Sequence, residues 1–256
     1  MSLTYEDRRM TILNQLDVEG KVQVHHLSEL LNVSTETVRR DLDRLEKEGK
    51  LRKVYGGAVR MRMELVEPPF QSRVQMMKPE KMAIGKLAAS LVQDGETIML
   101  DNGTTTIEMI PFLKDKTNVT LITNSITILN LAMETFRGRL IFTGGEVNQE
   151  CRAVTGSLAD QMLDQFKVNK AFISAGGISL TDGLTDFHLA EAVIARKMMQ
   201  RAEEVILVAD HSKFGLSTFA RVANLKDISM LVTDSGCPKE WIDKVKALGI
   251  EVRISE

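Results

Sequence analysis

Little in this 256-residue sequence could cross-link the chain or anchor it in a lipid bilayer. There are only two cysteines, Cys151 and Cys237, and they lie far apart, so we expect reduced thiols rather than a disulfide. Neither they nor the four histidines have the spacing of metal ligands. No apolar run reaches membrane-spanning length, and the first ten residues lack the apolar core of a signal peptide. These absences predict a cytoplasmic protein without metal, cofactor or membrane partner.

The chain is long enough for a small domain and one of ordinary size, and its charge is unevenly distributed. The 33 Lys and Arg nearly balance the 35 Asp and Glu, which gives a net charge of −2. Between Arg39 and Arg62, however, nine basic residues stand against four acidic ones, so this window carries +5 and the rest −7. A basic segment in an otherwise acidic chain is typical of a nucleic-acid-binding domain.

Residues 21–40 have the pattern of a helix-turn-helix. A helix predicted from Val24 to Leu31 precedes a turn at Asn32-Val33, and a second helix opens at Ser34, whose hydroxyl can cap it. In a helix-turn-helix this second helix enters the major groove of DNA, whereas a plain helical hairpin with a basic face is the alternative. The apolar residues predicted to pack the two helices together are Leu27, Leu30, Val33, Val38, Leu42 and Leu45.

The residues that follow favour DNA binding over a plain hairpin. Leu51–Tyr55 and Ala58–Arg62 alternate like strands, and Gly56-Gly57 is predicted to be the two-residue turn between them. A β-hairpin directly after a recognition helix is a wing, whose cations can lie along the phosphate backbone. With a first helix from Tyr5 to Leu16, the order of a winged helix-turn-helix is complete. We expect contacts to double-stranded operator DNA from Ser34, Thr35, Thr37, Arg39, Arg40, Arg44, Arg52, Lys53 and Tyr55.

A linker is predicted at residues 63–79, where three prolines interrupt a stretch without periodicity. From residue 80 to residue 256, short apolar strands alternate with amphipathic helices, which predicts an α/β domain with a mostly parallel sheet. Strands are predicted at Thr97–Leu100, Val119–Thr123, Leu140–Thr143, Ala171–Ser174, Val205–Ala209, Ile228–Thr233 and Glu251–Ile254. Helices are predicted at Lys81–Val92, Thr105–Leu113, Ile126–Thr135, Leu158–Phe166, Leu189–Ala202 and Lys239–Leu248.

Four loops carry polar groups at strand ends, where such sheets bind ligands. Residues 101–106, DNGTTT, combine a glycine, free N–H groups and three hydroxyls, which suits a phosphate or, alternatively, a polar helix cap. Residues 122–125, ITNS, make a weaker case of the same kind. Arg152, after the TGG of residues 143–145, could pair with a phosphate or with a surface carboxylate. Residues 210–215, DHSKFG, place a carboxylate, a hydroxyl and an ammonium in one turn, which suits a sugar phosphate.

The N-terminal segments RRMTILNQL, VSTETVRRDLDRLEKEG and RKVYGGAV resemble the DNA-binding domain of the DeoR family of bacterial sugar-catabolism repressors. The motifs DNGTTT, ITNS, TGG, SAGGIS with GLTD, and ADHSKFG resemble the effector domain of the same family, which is similar to ribose-5-phosphate isomerase. The resemblance implies a winged helix-turn-helix at residues 1–62 and a domain that binds a phosphorylated sugar or polyol at residues 80–256. One departure is Asn102, where the family usually has Ser.

The resemblance also assigns residues to the effector pocket. They are Asp101, Gly103, Thr104, Thr105, Thr106, Asn124, Ser125, Arg152, Gly176, Gly177, Asp186, Asp210 and Lys213. Glu191, at the start of a predicted helix, could bind a sugar hydroxyl or simply begin the helix with a favourable charge.

Glu191 also raises an alternative, an isomerase- or deaminase-like enzyme fused to a DNA-binding domain, because the isomerase has its catalytic glutamate at this place. The isomerase's acidic loop, however, corresponds to Ser174–Gly177, which has no carboxylate, and its lysine turn to DGLTD, which has no lysine. We therefore expect a transcriptional repressor of a carbohydrate operon, released by its effector, rather than an enzyme. A homo-oligomer, dimer or tetramer, is expected because two half-sites improve specificity.

Overall fold

The computed structural model describes residues 4–48, 50–60 and 67–256, apart from the side chains of Asp17, Val18 and Arg60. Contacts divide the chain into two compact units, residues 1–65 and residues 66–256. The second unit begins within the stretch that the sequence assigns to the linker, since residues 67–79 contain one helix and the start of another. Within the described ranges, no helix is long and apolar enough to cross a membrane.

The first unit combines helices with a small antiparallel sheet. Its elements are α1 (Tyr5–Glu19), β1 (Lys21–Gln23), α2 (Val24–Leu31), α3 (Thr35–Lys47), β2 (Leu51–Val54) and β3 (Gly57–Arg60). The strand order is β1-β3-β2. Helix α1 ends three residues later than predicted, at a left-handed Gly20 whose amide donates to the Leu16 carbonyl.

The predicted helix pair is confirmed, with one change in its core. Helix α2 ends at Asn32, which has a left-handed backbone (φ 51°), and the Ser34 hydroxyl accepts the Thr37 amide over 3.1 Å, so Ser34 caps α3. Leu30, which the periodicity places in the core, is 48% exposed. Leu31 is buried in its place, because α2 turns that side toward α1 and α3.

The wing is confirmed, but its turn is displaced by one residue. Val54 pairs with Gly57, so the two-residue turn is Tyr55-Gly56 and not Gly56-Gly57. Gly56 supplies the left-handed backbone (φ 77°) that this turn requires. Gly57 serves the unpredicted strand β1 instead, since a Cβ there would lie 2.0 Å from the Val22 carbonyl oxygen. The predicted end of the wing, residues 61 and 62, lies outside the described residues.

The second unit is an α/β sandwich. Its helices and strands are α4 (Phe70–Gln75), α5 (Lys78–Ser90), β4 (Thr97–Leu100), β5 (Thr120–Thr123), α6 (Ile126–Thr135), β6 (Arg139–Phe142), β7 (Glu146–Asn148), β8 (Ala153–Thr155), α7 (Ser157–Asp164), β9 (Val168–Ile173), β10 (Gly177–Ser179), β11 (Gly183–Asp186), α8 (Leu189–Arg201), β12 (Ala202–Val208), β13 (Ala220–Ala223), β14 (Met230–Asp234), α9 (Lys239–Ala247) and β15 (Glu251–Ser255). The predicted helix at Thr105–Leu113 is a 3₁₀ helix, Thr106–Phe112, that contains Pro111, a residue without an N–H.

Seven parallel strands form the main sheet in the order β15-β14-β12-β9-β4-β5-β6. They are the seven predicted strands, so the parallel sheet is confirmed. Successive residues face opposite cores: Ile98 and Leu100 pack with α5 and α6, whereas Met99 packs with α7, α8 and α9. The hairpin β7-β8 and the small sheet β10-β11-β13 were not predicted.

The strand order places one crevice near the middle of the sheet. Strands β5 and β6 follow on one side of β4, and β9, β12, β14 and β15 follow on the other, so the order reverses between β4 and β9. Ligands of open α/β sheets bind at such a point, beyond the carboxyl ends of the strands. The loops after β4, β5, β9 and β12 converge there.

Candidate functional site

The exposed side of α3 carries the predicted DNA contacts. Arg39 and Arg40 are exposed, and both share Glu36 as a partner, at 3.8 Å and 3.7 Å. Thr35 and Thr37 are half-buried at the start of the helix. Exposed pairs within one helix contribute little stability, so the two guanidinium groups are available to a polyanion.

The other predicted DNA contacts lie at the end of α3 and on the wing. The Arg44 guanidinium lies 4.1 Å from the centre of the Tyr5 ring, and the Lys53 ammonium contacts Asp43. Arg52 is exposed on β2, and Tyr55 is exposed at the tip of the wing. The role of these residues in binding DNA stays a prediction.

A pair that the sequence analysis missed fixes α3 against α1. Arg8 Nε donates to one carboxylate oxygen of Asp41 over 2.6 Å, and Arg8 Nη2 donates to the other over 3.1 Å. The side chains are only 13% and 7% exposed. Two parallel bonds between a planar guanidinium and a carboxylate fix direction as well as distance, so the pair sets how α3 is presented.

A narrow cavity occupies the crevice between β4 and β9. It leaves about 40 Å³ for the centres of water-sized molecules, which is room for a few waters. Nine of the fourteen residues that the sequence assigns to the effector line it: Asp101, Gly103, Thr104, Thr105, Asn124, Gly176, Asp186, Glu191 and Lys213. The unpredicted lining residues are Glu67, Arg73, Asn102, Ser174, Ala175, Phe187, Ile194 and Ala195.

The five remaining assigned residues lie outside this lining, and four of them have structural roles nearby. Thr106 bonds to its own loop, Ser125 caps α6, Asp210 accepts the amide two residues ahead, Gly177 belongs to β10, and Arg152 is exposed. The Arg152 guanidinium lies 5.4 Å from the centre of the Phe70 ring. The family resemblance made them candidates, but their side chains support the loops or lie beside them.

Asp101 organises the loop after β4. Its carboxylate accepts the Ser174 amide over 2.6 Å, the Ser174 hydroxyl over 2.9 Å and the Gly103 amide over 3.0 Å. Burial raises the pKa of Asp101 to about 6, against the lowering effect of these bonds. The bonds fasten this loop to the loop after β9. Gly103 is required at the junction, because a Cβ would lie 2.2 Å from the Ser174 hydroxyl oxygen.

Three cations lie near the turn at Thr104-Thr105: Arg73 and Lys213 share the cavity lining with it, and Lys81 contacts Thr104. The buried Lys81 ammonium donates to the Thr104 hydroxyl over 2.9 Å and to the Arg73 carbonyl over 2.5 Å. Burial lowers the pKa of Lys81 to about 8. The amides of Thr104 and Thr105 have no acceptor among the described residues. Cations and free N–H groups together are what an anion-binding site requires, so we call this turn the candidate anion site.

Another part of the lining presents acceptors without donors. The side-chain amides of Asn102 and Asn124 donate to backbone carbonyls, over 2.7 Å and 3.1 Å, which leaves their oxygens pointing elsewhere. Both oxygens are buried and have no partner in the part of the chain that the structure describes. Glu191 accepts from Asn102 over 3.1 Å, and burial followed by repulsion from Asp186 raises the pKa of Glu191 to about 8. Orphaned buried acceptors favour a ligand that brings hydroxyl donors.

Residues 67–76, which we call the strap, contribute Glu67 and Arg73 to the lining. Arg73 Nη1 lies 2.7 Å from one Glu67 oxygen, and His188 Nε2 lies 3.0 Å from the other. Phe70 of the strap is buried in the core that contains α5 and α6. The proline-rich sequence of the strap predicted a linker, and only the apolar Phe70 signalled that it packs.

Two family models match the chain. The DeoR-like helix-turn-helix domain matches residues 8–63, and the DeoR C terminal sensor domain matches residues 77–235. The HTH-type transcriptional regulator IolR of Bacillus subtilis is 36% identical over 222 residues, 87% of this chain and 88% of that protein. The HTH-type transcriptional repressor GlcR of the same species is 33% identical over 251 residues, 98% of this chain and 96% of that protein.

Among solved structures, ribose 5-phosphate isomerase A from Methanocaldococcus jannaschii is 24% identical over 54% of this chain and 55% of that chain, with a TM-score of 0.39. The matched family and both curated relatives are transcriptional regulators, which agrees with the prediction of a regulator over the fused-enzyme alternative. The chain belongs to the DeoR family of helix-turn-helix transcriptional regulators.

Proposed function

We propose that this regulator represses a carbohydrate-catabolism operon and leaves its operator when a phosphorylated sugar or polyol binds in the cavity. The observation that carries the proposal is the division of the lining into two parts. The Thr104-Thr105 turn has two free amides and three cations near it, whereas the buried oxygens of Asn102 and Asn124 lack donors. A phosphate supplies the anion and sugar hydroxyls supply the donors, so a ligand with both groups complements the cavity.

The strap provides the connection between ligand and DNA. Its Arg73 lines the cavity and is paired with Glu67, which follows the segment 61–66 in the sequence. A sugar phosphate is larger than the few waters for which the cavity has room, so binding requires the lining to move. A phosphate that takes Arg73 from Glu67 favours another arrangement of the strap, and a ligand shifts an equilibrium by binding one arrangement better.

The proposal includes the organisation of the whole molecule. Residues 1–62 bind DNA, and residues 80–256 bind the effector together with the strap, which belongs to the connecting residues 63–79. A homo-oligomer, dimer or tetramer, is part of the proposal because a single winged helix buries a modest interface and paired half-sites increase specificity. We place its action in the cytoplasm, with operator DNA and a metabolite as its partners.

Removing the ammonium group of Lys81 or of Lys213 tests the proposed effector site. We expect Lys81→Met and Lys213→Ala each to weaken binding of the cognate sugar phosphate about 10- to 100-fold, since hydrogen bonds to charged groups contribute about 1.5–3 kcal/mol. Operator affinity should be unchanged. A thermal-shift panel of sugar and polyol phosphates identifies the ligand, and calorimetry then measures its affinity.

Lys86→Ala is the matched control for Lys81→Met, because Lys86 lies on the same helix α5 but is exposed. It should bind the ligand like the wild type. The proposed effector site is wrong if both Lys81→Met and Lys213→Ala bind the ligand like the wild type. The proposed effector class is wrong if no sugar or polyol phosphate raises the melting temperature of the wild type.

The two parts of the DNA-binding surface should respond differently to substitution. We expect Arg39→Ala to weaken operator binding by about 1–3 kcal/mol, as for the loss of a bidentate base contact. Lys53→Ala on the wing should weaken binding to all DNA alike and make it less salt-dependent. Titrations on an operator selected from random DNA, and on random DNA, at several salt concentrations make the comparison. Equal behaviour of the two variants on both DNAs contradicts this division.

A further inference from the structure

Three residues from separate parts of the second unit converge beside the cavity. Glu67 lies on the strap, Cys151 between β7 and β8, and His188 at the start of α8. Each offers one ligand atom, a carboxylate oxygen, a thiol sulfur and an imidazole nitrogen, and these atoms all lie within 4.8 Å of one another. Cys151 is buried and the other two are half-buried. Because they are 84 and 37 residues apart along the chain, sequence spacing could not reveal the group.

Hydrogen bonds of their backbone groups hold two of these metal ligands, Cys151 and His188, in place. The Cys151 amide donates to the Asn148 side chain over 3.2 Å, and its carbonyl accepts from Asn102 over 2.7 Å. The His188 amide donates to the Asp186 carboxylate over 2.9 Å. Ligands whose positions are fixed by such neighbouring bonds lose little freedom when they bind a metal ion.

The surroundings are short of positive charge. Glu67, Asp186 and Glu191 bring three carboxyl groups together, and the Cys151 thiol lies near Glu191. Among the described residues, Arg73 is the one Lys or Arg that forms an ion pair with any of the three, and its partner is Glu67. A divalent cation supplies the missing charge and stabilises the thiolate, so the charges favour a metal ion with at least one soft ligand.

We propose that Glu67, Cys151 and His188 bind a Zn²⁺ ion, with the fourth position of the tetrahedron left for water. A set of one sulfur, one imidazole nitrogen and one carboxylate oxygen is typical of zinc, at bond lengths of about 2.0–2.3 Å in a tetrahedron. Mg²⁺ and Ca²⁺ prefer oxygen ligands alone. The His188 side chain is 33% exposed, which gives the ion a route from solvent. Glu67 also lines the proposed effector cavity, but the Zn²⁺ titration uses no sugar phosphate, so the two proposals are tested separately.

The full chain, reduced and stripped of metal with a chelator, is titrated with Zn²⁺ in competition with a chromogenic chelator and separately with Co²⁺. We expect about one ion per chain and the near-ultraviolet charge-transfer band of a Co²⁺–thiolate bond. Cys151→Ser should abolish the band and weaken Zn²⁺ binding more than about 100-fold, because changes to outer-shell partners alone cost roughly 10- to 100-fold. Cys237→Ser, which alters the other buried cysteine, should leave both unchanged.

His188→Ala is a second test that does not depend on whether Cys151→Ser folds correctly. Because the His188 side chain is half-exposed, this variant should keep the circular dichroism spectrum of the wild type. It should weaken Zn²⁺ binding by a similar factor. Failure of the wild type to bind Zn²⁺, a Co²⁺ complex without the thiolate band, or wild-type affinity in either Cys151→Ser or His188→Ala overturns the proposal. In each of those cases, the contact between Glu67 and His188 is a hydrogen bond without a role in metal binding.

Discussion

Operator binding is expected to disappear in Asp41→Ala, because the first unit unfolds while the second stays folded. The substitution takes from Arg8 the carboxylate that accepts two of its hydrogen bonds in a largely covered position. Loss of one partner costs about 2–4 kcal/mol here, between the values of exposed and deeply buried pairs. A domain of this size has a small free energy of unfolding, so a loss of this magnitude removes most of it.

Denaturant unfolding of the full chain, followed by operator titration, measures this effect. Asp43→Ala is the matched control: Asp43 lies on the same helix, but its contact with Lys53 is half exposed and contributes at most about 1 kcal/mol. The double variant Arg8→Met/Asp41→Leu should recover much of the stability, since apolar residues often replace a covered ion pair without loss. An Asp41→Ala protein that binds operator like the wild type and unfolds at the same denaturant concentration contradicts the expectation.

The second large effect is expected from Gly103→Ala, which should leave a repressor that no longer responds to its ligand. A Cβ at this position would lie 2.2 Å from the hydroxyl oxygen and 2.4 Å from the Cβ of Ser174. The loops after β4 and β9 must therefore separate, at a cost of about 1–3 kcal/mol to the stability of the second unit. Their separation moves Thr104 and Thr105 away from the cations of the candidate anion site, so ligand affinity should fall more than tenfold.

The matched control for Gly103→Ala is its combination with Ser174→Gly, which removes the two nearest atoms that the new Cβ would meet and leaves Asp101 Oδ1 at 3.1 Å. The Ser174 backbone amide still donates to Asp101 in the double variant, so we expect ligand binding to return in part. Calorimetry and an operator-release assay give the comparison. Normal release by the single variant, or an equal defect in the double variant, shows that the contact between the two loops does not shape the site.

Much of the fold could be predicted because it rests on local signals. Alternation and apolar runs located the seven parallel strands, and the Ser34 cap and the Asn32 turn located α3. The wing turn was misplaced because Tyr55-Gly56 and Gly56-Gly57 are both acceptable two-residue turns. The choice depends on β1, whose close approach requires Gly57 to lie within a strand. Such long-range pairing has no local signal.

The cavity was predictable only where a glycine or hydroxyl cluster follows a strand. Lys81 has no such signal, because a lysine on an amphipathic helix is ordinarily solvated and this one is buried by the strap and by Thr104. Asp101, predicted to bind the ligand, lines the cavity, and the sequence did not reveal that its carboxylate also accepts hydrogen bonds from Ser174 and Gly103. Both outcomes depend on contacts between segments distant in the sequence, which periodicity and motifs do not contain.

The position of the strap affects the metabolite concentration that the protein would need for induction in a cell. If a ligand that takes Arg73 lowers operator affinity through the strap, operator DNA must lower ligand affinity by the same factor, because a binding linkage is reciprocal. Protein molecules bound to operators would then need a higher metabolite concentration for ligand binding than molecules free in solution. The apparent induction threshold would consequently rise with the number of operator copies, and the Glu67–Arg73 pair would set part of that coupling.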